Sequence, residues 1–239
     1  MTGTSVDAPI LVTGVGRDGQ VGEAVADALT RSGGAALLLV DRREEQARDR
    51  AASVERAGGR AFAFGCDLAD ASRVSDLAAR IRREHGDRLR AVVHVAGGFA
   101  LSGTVAESDF DTWQRMFAIN LTTAYLVTRA FLPFVRATRG SLVYFASEAA
   151  LPGGKVANIA GYAAAKSGVV ALMRAVAQEE LASGVRANAV APTSIRTAAN
   201  VESMGENVRY VEREAVAAAV AFLCSDAASA VTGQVIALS

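Results

Sequence analysis

Residues 10–29 read ILVTGVGRDGQVGEAVADAL and join an apolar run to an amphipathic segment through a loop rich in glycine. The apolar run is typical of a buried strand, and the spacing of apolar residues after the loop is that of a helix. Glycines at such a junction allow a sharp turn and let the backbone approach a pyrophosphate, while the start of the helix presents N–H donors. The positions that we expect at the phosphates are Gly14, Gly16, Gly19, Val21 and Gly22. Glycine-rich turns are also common without any ligand, so other parts of the chain have to decide between the two interpretations.

Short apolar runs alternate with longer helical patterns along the whole chain. Strands are expected over residues 10–13, 35–40, 60–65, 91–95, 141–146, 186–191 and 234–238, and helices over residues 21–32, 44–57, 72–85, 109–138, 162–183 and 212–223. This order predicts an α/β fold with a parallel sheet and helices on both faces. No linker or repeat interrupts the pattern, so residues 1–239 are expected to form a single domain, with a short irregular substrate lid around residues 193–212.

The bulk composition excludes several classes of partner. Hydrophobic residues make up 51% of the 239 positions, charged residues 21%, and the formal net charge is zero, which offers no basic surface for nucleic acid or an anionic membrane. The opening MTGTSVDAP lacks the basic and apolar regions of a signal peptide, and no run reaches the roughly 18 apolar residues of a membrane span. Cys66 and Cys224 lack the spacing of metal ligands. We therefore expect a cytoplasmic protein with buried thiols, no metal and a small-molecule partner.

The second predicted strand ends in an acidic residue. It closes with LLLVD, and Asp41 lies nineteen positions beyond Gly22. A carboxylate at about that interval accepts hydrogen bonds from the ribose of a dinucleotide and repels a 2′-phosphate, which favours NAD(H). Arg42 and Arg43 follow directly, and a guanidinium there would bind a 2′-phosphate, so NADP(H) stays possible. The alternative for Asp41 is that it only caps the next helix.

The segment GYAAAKSG, residues 161–168, carries the clearest chemical signal. Tyr162 and Lys166 are four positions apart and share one face of a helix, where an ammonium can stabilise a phenolate and lower a pKa that is ordinarily about 10. Such a pair also arises by chance on surface helices. Ser147 follows the fifth predicted strand, where its hydroxyl can polarise a carbonyl. Asn120 lies mid-helix, where its poor propensity indicates a structural or relay hydrogen bond.

Together with these residues, the segments NAVAPTSIRT (188–197) and FLCSDAASAVTGQVI (222–236) make the whole chain resemble the short-chain dehydrogenase/reductase family. The resemblance implies an enzyme with a single Rossmann-like, doubly wound parallel sheet of seven strands, flanked by helices on both faces, that binds NAD or NADP. It implies that Tyr162 exchanges a proton with the alcohol or ketone oxygen and that Ser147 orients that oxygen. It also implies that Lys166 lowers the pKa of the tyrosine and holds the nicotinamide ribose, while Asn120 positions a water in the proton relay.

The same resemblance assigns further positions to the cofactor and the substrate. Asp67 matches the residue that binds adenine, and Ile195 and Thr197 match positions beside the nicotinamide carboxamide. The other matching cofactor positions are Leu68, Ala96, Gly97 and Pro192. Loop positions around the reacting carbon indicate a largely apolar pocket, formed by Phe99, Glu148, Ala149, Ile159 and Met204. Glu148 would either contact a polar group of the substrate or point to solvent.

Three departures from the family matter, and one of them is the separation of Ser147 and Tyr162 by fifteen positions, about two more than usual, which we expect the intervening segment to accommodate. The glycine loop is two positions longer than usual and has Gln20 where the family has its middle glycine, so we expect a bulge in which Gly16 and Gly19 absorb the turn. The family's Asn-Asn-Ala-Gly segment reads HVAG at residues 94–97. We expect His94 to make a buried hydrogen bond rather than to take part in catalysis.

The expected reaction is hydride transfer between a nicotinamide cofactor and a secondary alcohol or ketone, with Tyr162 as acid/base. An NADPH-dependent 3-oxoacyl-thioester (acyl-carrier-protein) reductase is the alternative within enzymes, and a catalytically silent nucleotide-binding or scaffold protein is the alternative outside them. The family commonly forms tetramers, and the apolar faces of the helices over residues 109–138 and 162–183 suit helix pairing. We therefore expect a homotetramer, with a dimer as the fallback.

Overall fold

Seven parallel strands form the central sheet of the computed structural model, which describes residues 8–239. The described residues contain nine strands, seven in this sheet and two in a separate pair. In chain order they are β1 (Ile10–Thr13), β2 (Leu37–Asp41), β3 (Ala61–Gly65), β4 (Ala91–His94), β5 (Ser141–Phe145), β6 (Arg186–Pro192), β7 (Ser194–Arg196), β8 (Tyr210–Glu212) and β9 (Val235–Leu238). The sheet has the order β3-β2-β1-β4-β5-β6-β9, and β7 and β8 form a separate pair. The predicted doubly wound, seven-stranded sheet is confirmed. The expectation that no signal peptide is present rests largely on residues 1–7, which lie outside the described residues.

Eight α-helices connect the strands and cover both faces of the sheet. They are α1 (Val21–Arg31), α2 (Glu44–Arg56), α3 (Ala71–His85), α4 (Phe110–Met116), α5 (Thr123–Arg136), α6 (Ala160–Glu179), α7 (Ala198–Met204) and α8 (Arg213–Cys224) among the described residues. Alternation along β2 shows why its sequence is apolar throughout. Leu38 belongs to the core under α3, α5 and α6, whereas Leu39 belongs to the core under α1, α2 and α8. A strand that is buried on both faces needs an unbroken apolar run.

The strand order reverses between β1 and β4, and this reversal determines where a ligand can bind. The chain first builds the sheet outward from β1 to β3, and then crosses to β4 on the other side of β1. The loops after β1 and β4 therefore leave the sheet in opposite directions, and a crevice opens between them at the carboxyl ends of the strands.

The helix expected over residues 109–138 is present, but it is not a continuous α-helix. Residues Phe117–Thr122 form a π-helical segment between α4 and α5, and the buried Asn120 lies in it. By length and composition alone the run Phe110–Arg136 is apolar enough to cross a membrane, because an 18-residue stretch within it has a mean hydropathy of 1.2. Half of that stretch is buried inside the fold, as in the core helix of a protein of this architecture.

Residues 193–212, which we expected to form an irregular lid and call the lid below, contain regular elements. β7 pairs in parallel with β8, and α7 lies between them in the chain. Thr197 caps α7, because its hydroxyl accepts a hydrogen bond from the backbone N–H of Asn200 at 3.2 Å. The expectation of an irregular lid is wrong. Strands of three residues are too short to leave a periodic pattern in the sequence.

Candidate active site

The glycine loop between β1 and α1 is shaped by close backbone contacts. A Cβ atom added to Gly14 would lie 2.4 Å from the Cα of Ala96, and one added to Gly22 would lie 2.4 Å from the carbonyl oxygen of Val15. Real Cβ atoms do not come this close, so both positions require glycine. Gly14 also has a φ of 71°, in the left-handed region that glycine adopts freely.

The two added residues of the loop produce the bulge that we expected. Gly16 and Gly19 have φ angles of 65° and 79°, and both absorb part of the turn toward the helix. Gln20 is the N-cap residue of α1, and its side chain makes no capping hydrogen bond. The first N–H groups of α1 are thus left without an acceptor from this side chain, which is the arrangement that suits a bound phosphate.

Asp41 ends β2 beside this loop. One of its carboxylate oxygens accepts a hydrogen bond from the backbone N–H of Gly16 at 3.0 Å, and the other accepts one from the backbone N–H of Arg43 at 3.1 Å. The second bond supports the turn into α2, whose N-cap residue is Arg43. The first bond brings the carboxylate to the glycine loop, so Asp41 does more than support the start of the next helix.

The other predicted cofactor positions follow the carboxyl ends of strands in the same sheet. They are Asp67 and Leu68 after β3, Ala96 and Gly97 after β4, Pro192 at the end of β6, Ile195 in β7 and Thr197 at the start of α7. Because the strands are parallel, all of these loops lie at one edge of the sheet. An edge that combines these loops with a glycine cradle that has no room for a Cβ at Gly14 or Gly22 fits a dinucleotide.

Three of the predicted catalytic residues line one cleft of about 390 Å³ at the same edge. Ser147 precedes the 3-10 turn Glu148–Ala150, and its hydroxyl accepts a hydrogen bond from the backbone N–H of Ala149 at 3.3 Å. Tyr162, near the start of α6, lines the same cleft. Lys166 follows one turn later on α6 and is only 5% exposed. The structure thus brings together the three side chains that the sequence predicted.

The ammonium of Lys166 donates a hydrogen bond to the carbonyl oxygen of Phe145 at 2.8 Å and lies 5.8 Å from the centre of the Tyr162 ring. Burial lowers the pKa of Lys166 from 10.5 to about 8. Burial also raises the pKa of Tyr162, and the side chain of Ser147 opposes this effect only in part. The family resemblance implies that Lys166 lowers the tyrosine pKa. This structure does not show that effect, because the ammonium is bonded to a backbone carbonyl and not to the phenol.

Asn120 fixes the loop that follows β4. Its side-chain oxygen accepts a hydrogen bond from the N–H of Gly98 at 3.1 Å, and its amide nitrogen donates to the carbonyl oxygens of Gly98 and Met116, both at 3.0 Å. A Cβ on Gly97 would lie 2.7 Å from that side-chain oxygen and 3.3 Å from Nζ of Lys166. The bonds observed for Asn120 are therefore structural ones, and the importance of Gly98 was missed because glycine there belongs to no motif.

His94 makes the buried hydrogen bonds that we expected. Its Nδ1 lies 2.9 Å from the hydroxyl of Thr13, and its Nε2 lies 3.2 Å from the hydroxyl of Thr123. Burial, with a smaller contribution from the charge of Lys166, lowers the pKa of His94 from 6.5 to about 3. The imidazole is therefore neutral at physiological pH and joins β1, β4 and α5.

All five residues expected at the substrate line the cleft, namely Phe99, Glu148, Ala149, Ile159 and Met204. The ring of Phe99 stands edge-on to that of Tyr162, with centroids 5.1 Å apart, so an apolar wall adjoins the acid/base candidate. The sequence analysis missed the polar residues that the lid contributes, which are Ser194, Asn200 and Ser203. They lie on β7 and α7, two elements that no sequence pattern predicted.

Both lysines of the chain line this cleft. Lys155 is exposed and belongs to the loop before α6, whereas Lys166 is buried on α6 itself. Every other basic side chain outside the two histidines is an arginine. The amines of the protein's side chains are thus concentrated at one place.

The cysteines are placed as inert core residues. Cys66 and Cys224 are free and buried, as expected, and burial raises their pKa to about 11 and about 12. Thiols with such values carry little thiolate at neutral pH and are poor nucleophiles. Within residues 8–239, no group of three or more His, Cys, Asp or Glu side chains is arranged to hold a metal ion.

Comparison with known proteins gives matches over nearly the whole chain. A family model described as Enoyl-(Acyl carrier protein) reductase matches residues 14–239. The 2-(S)-hydroxypropyl-CoM dehydrogenase 3 of Xanthobacter autotrophicus is 32% identical, over 94% of this chain and 92% of the relative. The meso-2,3-butanediol dehydrogenase of Serratia marcescens is also 32% identical, over 94% and 90%. The solved structure of a short-chain type dehydrogenase/reductase from Mycobacterium ulcerans has a TM-score of 0.86 and 32% identity, over 98% of this chain and 89% of the other.

These matches agree with the strand order and with the residues gathered at the carboxyl edge of the sheet. Both named curated relatives are dehydrogenases, and each match covers 94% of this chain. The chain is therefore an NAD(P)-dependent oxidoreductase and belongs to the short-chain dehydrogenase/reductase family.

Proposed function

We propose that the protein interconverts a secondary alcohol and the corresponding ketone, with NAD(H) as cofactor and Tyr162 as acid/base. The observation that carries this proposal is the arrangement of Ser147, Tyr162 and Lys166 in one cleft at the carboxyl edge of the sheet. A hydroxyl and a phenol that line the same cleft can both bind one substrate oxygen.

In the proposed mechanism Ser147 orients the substrate oxygen and Tyr162 exchanges its proton. During oxidation the phenolate accepts the hydroxyl proton while hydride leaves the adjoining carbon, and during reduction the phenol returns the proton to the oxygen. The nicotinamide ring, when bound, supplies the acceptor or donor of the hydride. Burial keeps Tyr162 protonated at neutral pH, which suits the donation of a proton to a ketone.

Lys166 has two proposed tasks, to hold the nicotinamide ribose and to relay the proton of Tyr162. Its pKa of about 8 allows it to gain and lose a proton near neutral pH. The ammonium already donates to Phe145, which fixes it beneath the cleft with donors left for a ribose hydroxyl. Asn120 serves this arrangement by fixing the loop above it, and the proposed relay water would bind near its side chain.

The remaining dinucleotide contacts are proposed for residues along the carboxyl edge. The glycine loop, with Gly14, Gly16, Gly19, Val21 and Gly22, would hold the pyrophosphate, and Asp41 would hold the adenosine ribose. Adenine would lie against Asp67 and Leu68, and the nicotinamide half against Ala96, Gly97, Pro192, Ile195 and Thr197.

We favour NAD(H) because the carboxylate of Asp41 lies at the loop where a 2′-phosphate would have to bind. NADP(H) is the second candidate, since Arg42 and Arg43 make no ion pair among the described residues and can reach a phosphate. Fluorescence titration of the purified protein with NADH and, separately, NADPH tests the assignment. Tighter NADH binding is expected. Tighter NADPH binding would mean that Arg42 or Arg43, and not Asp41, decides the choice of cofactor. Binding of neither would overturn the proposed function.

The substrate that we propose is a small, largely apolar secondary alcohol or its ketone. Phe99, Ile159 and Met204 supply apolar walls, and a cleft of about 390 Å³ holds a molecule of modest size. The named relatives act, by their names, on hydroxypropyl-CoM and on meso-2,3-butanediol, which favours this class over a 3-oxoacyl thioester. Rates measured with a panel of short secondary alcohols, diols and one 3-oxoacyl thioester separate the two substrate classes.

The alternative to an enzyme is a catalytically silent nucleotide-binding protein. The altered glycine loop and the histidine at position 94 are the features that favour it. Against it, Ser147, Tyr162 and Lys166 are all present in one cleft, and His94 is satisfied by buried hydrogen bonds. We therefore propose an active enzyme.

We further propose that residues 1–239 act as one catalytic domain with residues 193–212 as its substrate lid, in a cytoplasmic homotetramer. Phe110, Trp113 and Tyr125 expose 69%, 39% and 49% of their surface on α4 and α5, and such a row of large side chains suits helix pairing between subunits. Size-exclusion chromatography with light scattering is expected to give four subunits, or two as the fallback. A monomer would contradict the assembly and leave the proposed chemistry intact.

A further inference from the structure

Charged side chains anchor the enlarged part of the glycine loop. Asp18 accepts a hydrogen bond from Nη2 of Arg50 at 2.6 Å, and Glu23 accepts one from the backbone N–H of Gly19 at 2.8 Å. Arg50 is 2% exposed, and its Nη1 binds Glu23 at 3.1 Å. The bulge is thus fixed at two points to a single buried guanidinium and its carboxylate partner.

Glu23 also reaches the base of the lid. The second carboxylate oxygen, which accepts the bond from Gly19, accepts another from Nη1 of Arg213 at 2.5 Å. Arg213 is the first residue of α8 and directly follows β8, the strand that pairs with β7 in the lid. A chain of hydrogen bonds therefore runs from the loop through one carboxylate to the first residue of α8, which directly follows the lid in the sequence.

The loop and the lid meet at a second point. A Cβ added to Gly19 would lie 3.9 Å from the Cβ of Ala198, the first residue of α7. Thr197, Ala198 and Arg213 line one groove with Gly19. The bulge of the glycine loop is therefore in van der Waals reach of the helix that covers the cleft.

Charge balance explains how a carboxylate is tolerated at this place. Glu23 lies in the first turn of α1, where its charge would repel a bound pyrophosphate. Although its partial burial acts to raise its pKa, the bonds from Gly19 and Arg213 and the charge of Arg50 hold the pKa of Glu23 below its ordinary value. The guanidiniums of Arg50 and Arg213 thus offset the negative charge of Glu23 at the start of α1.

We propose that Glu23 is a positioning residue that joins the enlarged glycine loop to the lid, so that a dinucleotide bound at the loop and an ordered lid stabilise each other. The inference rests on the proposed function, because it assumes that the loop binds a dinucleotide. A ligand that orders the loop around Gly19 also orders the carboxylate to which the Gly19 N–H donates and which Arg213 binds. By thermodynamic reciprocity, an ordered lid then raises the affinity of the loop for the dinucleotide.

The test compares Glu23→Gln with Glu214→Gln. Glu214 binds the same Arg213 side chain, through Nε at 2.8 Å, but is exposed and does not touch the loop, which makes it a matched control. For each protein we would measure the affinity for NADH or NADPH, whichever binds the wild type, by fluorescence. Hydrogen exchange of residues 194–209 would be followed with and without that dinucleotide.

In the wild type, the dinucleotide is expected to slow exchange in the lid. Glu23→Gln is expected to weaken binding about tenfold, within the usual range of coupling energies, and to abolish the slowing in the lid. Glu214→Gln is expected to retain both properties. Arg213→Gln breaks the same link from the lid side while leaving Arg50 bonded to Glu23, and it is expected to reproduce the loss should Glu23→Gln fail to fold.

Each outcome separates the coupling from the proposed function. If the dinucleotide slows lid exchange as strongly in Glu23→Gln or Arg213→Gln as in the wild type, the coupling is wrong and the enzyme assignment stands. If Glu214→Gln behaves like Glu23→Gln, the effect belongs to Arg213 in general, and Glu23 has no special role. If the wild type binds neither dinucleotide, the proposed function itself fails.

Discussion

The glycine loop and the catalytic cleft lie at the same edge of the sheet, yet they are held in place by different means. The cleft depends on burial: Lys166 and Asn120 are 5% and 1% exposed, and both are bonded to backbone groups. The loop depends on backbone conformation and on ion pairs, because Gly14 and Gly19 take left-handed angles and Glu23 connects two arginines. The cleft keeps the family pattern, whereas the loop departs from it. Buried hydrogen bonds tolerate little change, while a surface loop can lengthen when new charges anchor it.

The largest effect should come from the cleft, where the phenolic oxygen of Tyr162 is expected to exchange a proton with the substrate. Tyr162→Phe removes the phenolic oxygen and preserves the ring that Phe99 packs against. Activity on any substrate is expected to fall by about 10²–10⁴-fold, the usual contribution of a positioned acid/base. Steady-state kinetics would measure the loss, and an unchanged dinucleotide affinity would show that the loop is unaffected. Turnover at the wild-type rate would rule out the mechanism.

A second prediction addresses the loop, where backbone space rather than a functional group is decisive. Gly14→Ala would place a Cβ 2.4 Å from the Cα of Ala96 at a φ of 71°. We expect a loss of about 1–3 kcal/mol in unfolding free energy together with weaker dinucleotide binding. Gly33→Ala is the control, since its φ of 85° is similar but nothing lies within 4 Å of the added atom. That variant should lose only the conformational cost of about 1 kcal/mol and bind normally. Equal losses of unfolding free energy in Gly14→Ala and Gly33→Ala would show that the close contact with Ala96 does not require glycine at position 14.

The smallest expected effect concerns His94, which joins the two regions through Thr13 and Thr123. Its pKa is lowered from 6.5 in the unfolded chain to about 3 in the folded protein. As the pH falls from 6.5 toward 3, the unfolded chain takes up a proton that the folded protein does not, so the folded state loses stability. His94→Asn lacks this proton uptake, and urea unfolding at neutral and at mildly acidic pH should show a shallower loss in the variant. A pH dependence identical to that of the wild type would contradict the assignment of a buried neutral imidazole.

Much of this architecture can be predicted from the sequence because its signals are local. The apolar runs of β1, β2 and β4 and the motif around Tyr162 each occupy one short stretch. The sheet order follows from the alternation of strands and helices, and the predicted cofactor and substrate positions follow from the family resemblance. The position of His94 in a buried hydrogen bond could also be anticipated, since it stands where the family has a polar residue.

The features that escaped prediction are those that join distant or very short segments. Arg213 and Glu23 are 190 positions apart in the sequence, and no local pattern in either segment predicts that they form an ion pair. The π-helical turn around Asn120 is a change in backbone hydrogen bonding that leaves the apolar pattern nearly unchanged. The direction of the pKa shift at Tyr162 depends on where the ammonium of Lys166 finds an acceptor, and only the three-dimensional structure supplies the Phe145 carbonyl.

The placement of both lysines in one cleft has a practical consequence for anyone who handles this protein. Reagents that modify amines, such as activated esters used for dyes, biotin or surface coupling, find no other lysine side chain to react with. The exposed Lys155 stands at the cleft itself, so a label attached there would obstruct it, while the rest of the basic surface is arginine and stays unmodified. Attachment through amines would report on the cleft or block it, and immobilisation for binding studies should use an added terminal tag instead.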